Sequence, residues 1–121
     1  MIGRLEKTVL DCPDPRALAA FYAEVLGMRV NEDGDDWVVI GLTPGARDLA
    51  FQRAPGWEPP RWPDPGSPQH AHLDIRVDDV DAAERAVLAL GARRLVVDSV
   101  REDGFRVFAD PAGHPFCLVF G

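Results

Sequence analysis

The chain is poor in the residues that mark specialised protein classes. Its 121 residues include two cysteines, Cys12 and Cys117, with no framework spacing. That argues against a disulfide scaffold, and a reduced cytoplasmic protein is expected. No apolar run approaches the roughly 20 residues that span a bilayer, so no membrane partner is expected. The start, Met1-Ile2-Gly3-Arg4, lacks the apolar segment of a signal peptide. Basic residues are the minority, 13 against 20 acidic ones, for a net charge of −7. A nucleic-acid partner wants a basic face, so none is expected. No phosphate-binding glycine loop, nucleophile elbow or zinc ribbon is present.

What is present is a repeat. Thr8-Val9-Leu10-Asp11-Cys12 leads into Pro13-Asp14-Pro15 and an amphipathic run ending at Leu26-Gly27. About 65 residues later, Leu73-Asp74-Ile75-Arg76-Val77 leads into Asp78-Asp79-Val80 and a run ending at Leu90-Gly91. A repeat of this size is a structural unit. Asp14 suits a helix N-cap, Pro15 the first helical position and Gly27 a left-handed stop. Leu18, Phe21, Tyr22, Val25 and Leu26 share one helical face. Strands are predicted at 6–12, 28–32, 37–41 and 48–53. A second set follows at 70–77, 93–98, 105–109 and 115–120 around a helix at 80–90, with Asp81 and Glu84 near its positive end. The fold class is therefore α+β, with two βαβββ modules at 5–54 and 70–121. The proline-rich stretch between them, 55–69, reads as a stiff linker.

Several motifs in this order resemble the vicinal oxygen chelate superfamily of glyoxalases, bleomycin and fosfomycin resistance proteins and extradiol dioxygenases. They are Phe21-Tyr22 before Leu26-Gly27, Trp62-Pro63-Asp64-Pro65, His72-Leu73-Asp74, Val77-Asp78-Asp79-Val80 and Asp110-Pro111-Ala112-Gly113-His114-Pro115-Phe116. Together they are most similar to the small glyoxalase-like domains of actinobacteria. The resemblance implies paired, cupped sheets, a ligand cleft in each cup and a homodimer. It also implies four metal-ligand positions, which fall here on Lys7, Gln52, His72 and Cys117. Only His72 is of the usual type. An ammonium has donors only, and Lys7 about 5 Å from a dication would cost roughly 7 kcal/mol at an effective dielectric near 20. No cofactor is therefore expected and the chain is expected to fold without metal. If a divalent zinc, nickel or iron were bound, His72 would be its ligand.

Strand alternation places the remaining candidates. Leu73, Ile75 and Val77 should pack on the helix, leaving His72, Asp74 and Arg76 facing the cup. Lys7, Val9 and Asp11, Ala50 and Gln52, and Cys117 and Val119 should join them, with Arg106 a further candidate. The ligand-binding cleft is thus assigned to Lys7, Gln52, His72, Asp74, Arg76 and Cys117. The bland alternative is internal pairing, for instance of Asp74 with Lys7 or Arg76, because buried charges must pair or stay wet. Trp57 and Trp62 either cover a cleft or anchor the proline-rich path. His70, His72 and His114 are a less favoured imidazole set. Cys117 is read as an inert, semi-buried thiol for want of a visible base and orienter.

These readings predict a small-molecule binding protein of the glyoxalase-like, antibiotic-resistance type, not dependent on a metal. The rival is a lyase, isomerase or dioxygenase using a metal or His72 as acid/base. A purely structural module would have no cleft large enough for a ligand.

Overall fold

The computed structural model describes residues 1–62, 64, 66–96 and 103–121. The first module runs β1 (Thr8–Cys12), α1 (Pro15–Leu26), β2 (Arg29–Asp33), β3 (Trp37–Gly41) and β4 (Leu49–Arg53). The second repeats it as β5 (Leu73–Arg76), α2 (Val80–Ala89), β6 (Arg93–Leu95), β7 (Phe105–Ala109) and β8 (Pro115–Val119). The predicted end of the sixth strand at Asp98 lies outside the described residues. Each module forms a mixed four-stranded sheet, in the orders β1-β4-β3-β2 and β5-β8-β7-β6. In each, the last strand returns to lie parallel beside the first.

Helix α1 forms where its caps dictate. The Asp14 side chain accepts a hydrogen bond from the Ala17 N–H, Pro15 opens the helix, and Gly27 closes it at φ 65°. Its apolar face buries Leu18, Ala19, Phe21 and Tyr22 against the first sheet. There Tyr22 stacks on Phe51 with centroids 5.8 Å apart. Cys12 is fully buried in the same core.

Helix α2 is attached differently. It buries only Val87. Charged contacts tie it to the sheet: Arg106 Nη2 lies 3.0 Å from Asp81 Oδ1, and Arg94 Nε lies 3.1 Å from Glu84 Oε1. Glu84 Oε1 is buried and makes no well-aligned hydrogen bond, so these arginines compensate it by charge. Arg106 therefore turns toward α2, not toward the cup. Beneath these pairs Phe108 stacks on Phe116 at 5.5 Å, both fully buried.

The chain divides into two compact units, Met1–Trp57 and Glu58–Gly121. Most of the proline-rich stretch thus belongs with the second unit. It forms a loop of its own, with Asp64 N–H donating to Arg61 O at 2.8 Å and Arg61 N–H to Ser67 Oγ at 2.7 Å. Pro59 packs so closely on Gly113 that a Cβ there would lie 2.4 Å from the proline Cβ. Gly113 also has φ +97°, which glycine adopts without strain. Strand β5 starts at Leu73 rather than at His70, whose φ of 60° takes it out of extended geometry.

Candidate functional site

The register of the second sheet builds its open face. Asp74 sits opposite Cys117 across the parallel β5–β8 pair, and Cys117 opposite Val107 across β7–β8. Alternation sends Ile75, Phe108, Phe116 and Leu118 to the core. Asp74, Phe105, Val107, Cys117 and Val119 are left on the other face, where they line a cavity of about 390 Å³. His72, just before β5, lines it too, as do Trp62 and Gln69 from the proline-rich stretch and Asp103 from the turn before β7. This volume falls within the range of small-molecule sites.

One end of the cavity is polar. His72 Nε2 lies 3.2 Å from Asp74 Oδ1. Potential ligand atoms of His72, Asp74 and Cys117 all lie within 4.8 Å of one another. This is the only such cluster of metal-ligating side chains among the described residues. The histidine and aspartate are exposed, while Cys117 is buried. An imidazole and a carboxylate thus stand near the Cys117 sulfur. Phe105, Val107, Val119 and Trp62 make the remaining wall largely apolar.

Asp74 pairs with His72 rather than with either cation the sequence suggests. Arg76 donates instead to the Gly121 carbonyl at 3.3 Å and does not line the cavity. His70 and His114 do not join His72. The His114 backbone N–H donates to Asp110 Oδ1, which ties it into the turn. Trp62 lies on the cavity, whereas Trp57 belongs to the first unit.

Lys7 and Gln52 also belong to the first unit. Gln52 borders an open polar hollow with Asp36, Arg53 and Pro55. Lys7 lies with its ammonium 5.9 Å from the centroid of the Trp37 ring and 3.8 Å from Glu6 Oε2. The Trp37 indole N–H donates to Glu32 Oε2 at 2.9 Å, and Arg47 donates to the other oxygen. These bonds, from Arg47 first and Trp37 second, hold the Glu32 carboxyl below its ordinary value of 4.5. The stability contributed by this depressed group is present above that ordinary value and lost as pH falls through the lowered one. Glu32→Gln should therefore melt below wild type at neutral pH, with the gap closing on acidification below pH 4.5; melting curves across pH 3–7 check this.

Two of the four metal positions implied by the resemblance are thus a lysine held over an indole ring and a neutral amide. An ammonium cannot coordinate, and an amide carbonyl is a weak substitute for a carboxylate. The residues present do not fit a metal held by all four positions.

Phe105, Val107, Gln69 and Asp103 escape a reading of the sequence. Alternation in β7 would have supplied the first two once Arg106 was assigned to α2. The spacing of Asp81 and Glu84, three apart on one helix face, is the signal for that assignment.

Comparison with known proteins agrees with this architecture. A glyoxalase-like domain family matches residues 7–119. A search of curated proteins gives no match. Among solved structures, the chain is similar to a glyoxalase/bleomycin resistance protein/dioxygenase family enzyme from Burkholderia phytofirmans, with TM-score 0.68, 16% identity and 98% of each chain covered. It is also similar to the fosfomycin resistance protein FosX from Listeria monocytogenes, with TM-score 0.69, 17% identity and coverage of 100% of this chain and 95% of that one. Trypanothione-dependent glyoxalase I from Leishmania major gives TM-score 0.66 and 21% identity over 98% of this chain and 86% of that one. At these identities the structures speak to the fold. With the family match spanning nearly the whole sequence, the chain belongs to the glyoxalase-like domain family.

Proposed function

We propose that the protein is a small-molecule binding protein of the antibiotic-resistance type, with its ligand in the cavity of the second unit. The observation that carries this reading is that cavity. It has about 390 Å³ of space, an apolar wall and a polar end bearing His72 and Asp74. Such a hollow suits a ligand with a ring or alkyl body and a hydrogen-bonding or cationic group. Two carboxylates, Asp74 and Asp103, line it, and the chain is acidic overall. A structural module would have little use for a space of this size. Binding would not require a metal held by the four family positions.

One observation favours a second reading, a lyase or isomerase. An imidazole 3.2 Å from a carboxylate at the edge of a cavity has the geometry of an oriented general base. The two readings separate on turnover once a ligand is in hand.

A thermal-shift screen of aromatic metabolites and cationic antibiotics supplies that ligand. His72→Ala should then weaken a hit by about 1–3 kcal/mol, the usual effect of removing a hydrogen-bonding partner. Val119→Trp, which fills the cavity from an incompletely buried position, should abolish binding in a calorimetric titration. Equal affinity for both variants and wild type would remove the cavity from consideration.

A further inference from the structure

We propose that Cys117 is a nucleophilic thiol that captures alkenes conjugated to a carbonyl, with His72 taking up the thiol proton and Asp74 holding His72. The inference rests on the cavity of the second unit being the ligand site, and it names the chemical class of that ligand. Every group it uses is a side chain of that unit. It replaces the inert thiol expected from the sequence.

The two cysteines of the chain differ in what can reach them. Cys12 is fully buried in the first unit, where its thiol donates to the Gln52 carbonyl at 3.7 Å. Cys117 lines the cavity. Its sulfur, a His72 ring nitrogen and an Asp74 carboxylate oxygen all lie within 4.8 Å of one another. Two hydrogen bonds of about 2.8 Å meeting at one water span roughly 4.5 Å, so a single water can carry the thiol proton to the imidazole. Asp74 Oδ1, 3.2 Å from His72 Nε2, then stabilises the imidazolium that forms. The same carboxylate disfavours a resting thiolate, so the proton leaves as the carbon–sulfur bond forms. The register keeps the set together: Asp74 and Cys117 are direct neighbours across the β5–β8 pair, and His72 lies two residues before Asp74.

The rest of the wall selects the electrophile. Trp62, Phe105, Val107 and Val119 suit a flat conjugated body. Among the described residues no lysine or arginine lines the cavity, whereas Asp74 and Asp103 do. Such a wall opposes the release of an anionic leaving group. Addition to an alkene releases nothing. The sulfur bonds to the β-carbon, and the carbon–carbon π pair moves through the conjugated system onto the carbonyl oxygen. The proton held on His72 then passes to the α-carbon as the carbonyl re-forms. Neither an oxidant nor a reductant is consumed. While it lasts, the imidazolium is the cation that offsets the enolate charge at this end of the cavity.

N-phenylacrylamide, a weakly reactive probe with an aromatic body, tests this on the reduced full-length protein. Intact-mass spectrometry should show one addition, and peptide mapping should place it on Cys117 and not on Cys12. The rate should saturate with probe concentration, and its second-order limit should exceed that of glutathione at the same pH by at least about 100-fold. His72→Ala, at an exposed position, should lower the maximal rate by about 100-fold with the half-saturating concentration little changed. Free imidazole should restore part of that loss, which it would not do for a merely structural defect. Asp74→Asn should lower the same maximal rate by less. Labelling of Cys117 no faster than glutathione, or equally fast in His72→Ala, would overturn the proposal. So would a screened ligand that binds wild type and is excluded by Val119→Trp while Cys117 stays unlabelled by the probe. That last result would keep the cavity as the ligand site and remove only the capture.

Discussion

Replacing Phe116 by alanine is expected to lower folding stability by about 3–5 kcal/mol, the range for deleting a fully buried aromatic ring. Phe116 has no exposed surface, and its ring stacks on Phe108 at 5.5 Å and 21°. The helix of the second module adds little to this core. Helix α2 buries a single side chain, Val87, and is otherwise tied down by Asp81 and Glu84 to Arg106 and Arg94. Ion pairs of this half-exposed kind contribute modestly, so the buried side chains of the sheet, the aromatic pair largest among them, hold the core. Total stability of a small domain is only about 5–15 kcal/mol, and the loss would take a large share of it. Urea denaturation should show a lower midpoint at an unchanged slope. Leu88→Ala, on the exposed side of α2, should change stability by no more than about 0.5 kcal/mol. A loss for Phe116→Ala as small as that of Leu88→Ala would contradict this account of the core.

The parts of the fold written in local chemistry are legible in the sequence alone. Asp14, Pro15 and Gly27 each have one strong conformational use, and together they bound α1 to the residue. Strand β3 and strand β7 likewise stand at the residues the alternation predicts. Faces were harder. Alternation separates Arg106 from Val107 but does not say which of them meets the helix. That depends on the acidic pair on α2, a partner about 20 residues away in sequence. The candidate site shows the same limit. His72 and Asp74 share a face by simple alternation, so their pairing was within reach. Cys117 joins them only through the register of two strands more than 40 residues apart. Trp62 stays between two roles in the sequence, covering a cleft or anchoring the path. A proline-rich stretch carries no periodicity, so it reads as a spacer. Its Pro59 packs on a glycine turn at the far end of the module, and no local rule connects the two.

That turn gives the second large effect. Gly113→Ala should lose stability from two sources. A left-handed backbone at φ +97° costs a residue with a Cβ about 1–2 kcal/mol. The new methyl would also lie 2.4 Å from Pro59 Cβ and 3.1 Å from Pro59 Cγ, and relieving such an overlap costs about 1–3 kcal/mol. Gly56→Ala separates the two. Gly56 has φ +78° but open space around its would-be Cβ, so it should show the backbone cost alone. The difference between the variants isolates the contact with Pro59. Its consequence reaches the cavity, because a displaced Pro59 carries along Trp62, three residues later in its wall. Trypsin reports this: the chain should be cut after Arg61 faster in Gly113→Ala than in wild type, and no faster in Gly56→Ala. Ligand affinity should fall in the first variant and hold in the second. If the two glycine variants melt alike and are cut alike, the proline-rich stretch does not depend on Gly113 for its place, and the wall of the cavity at Trp62 is held by something else.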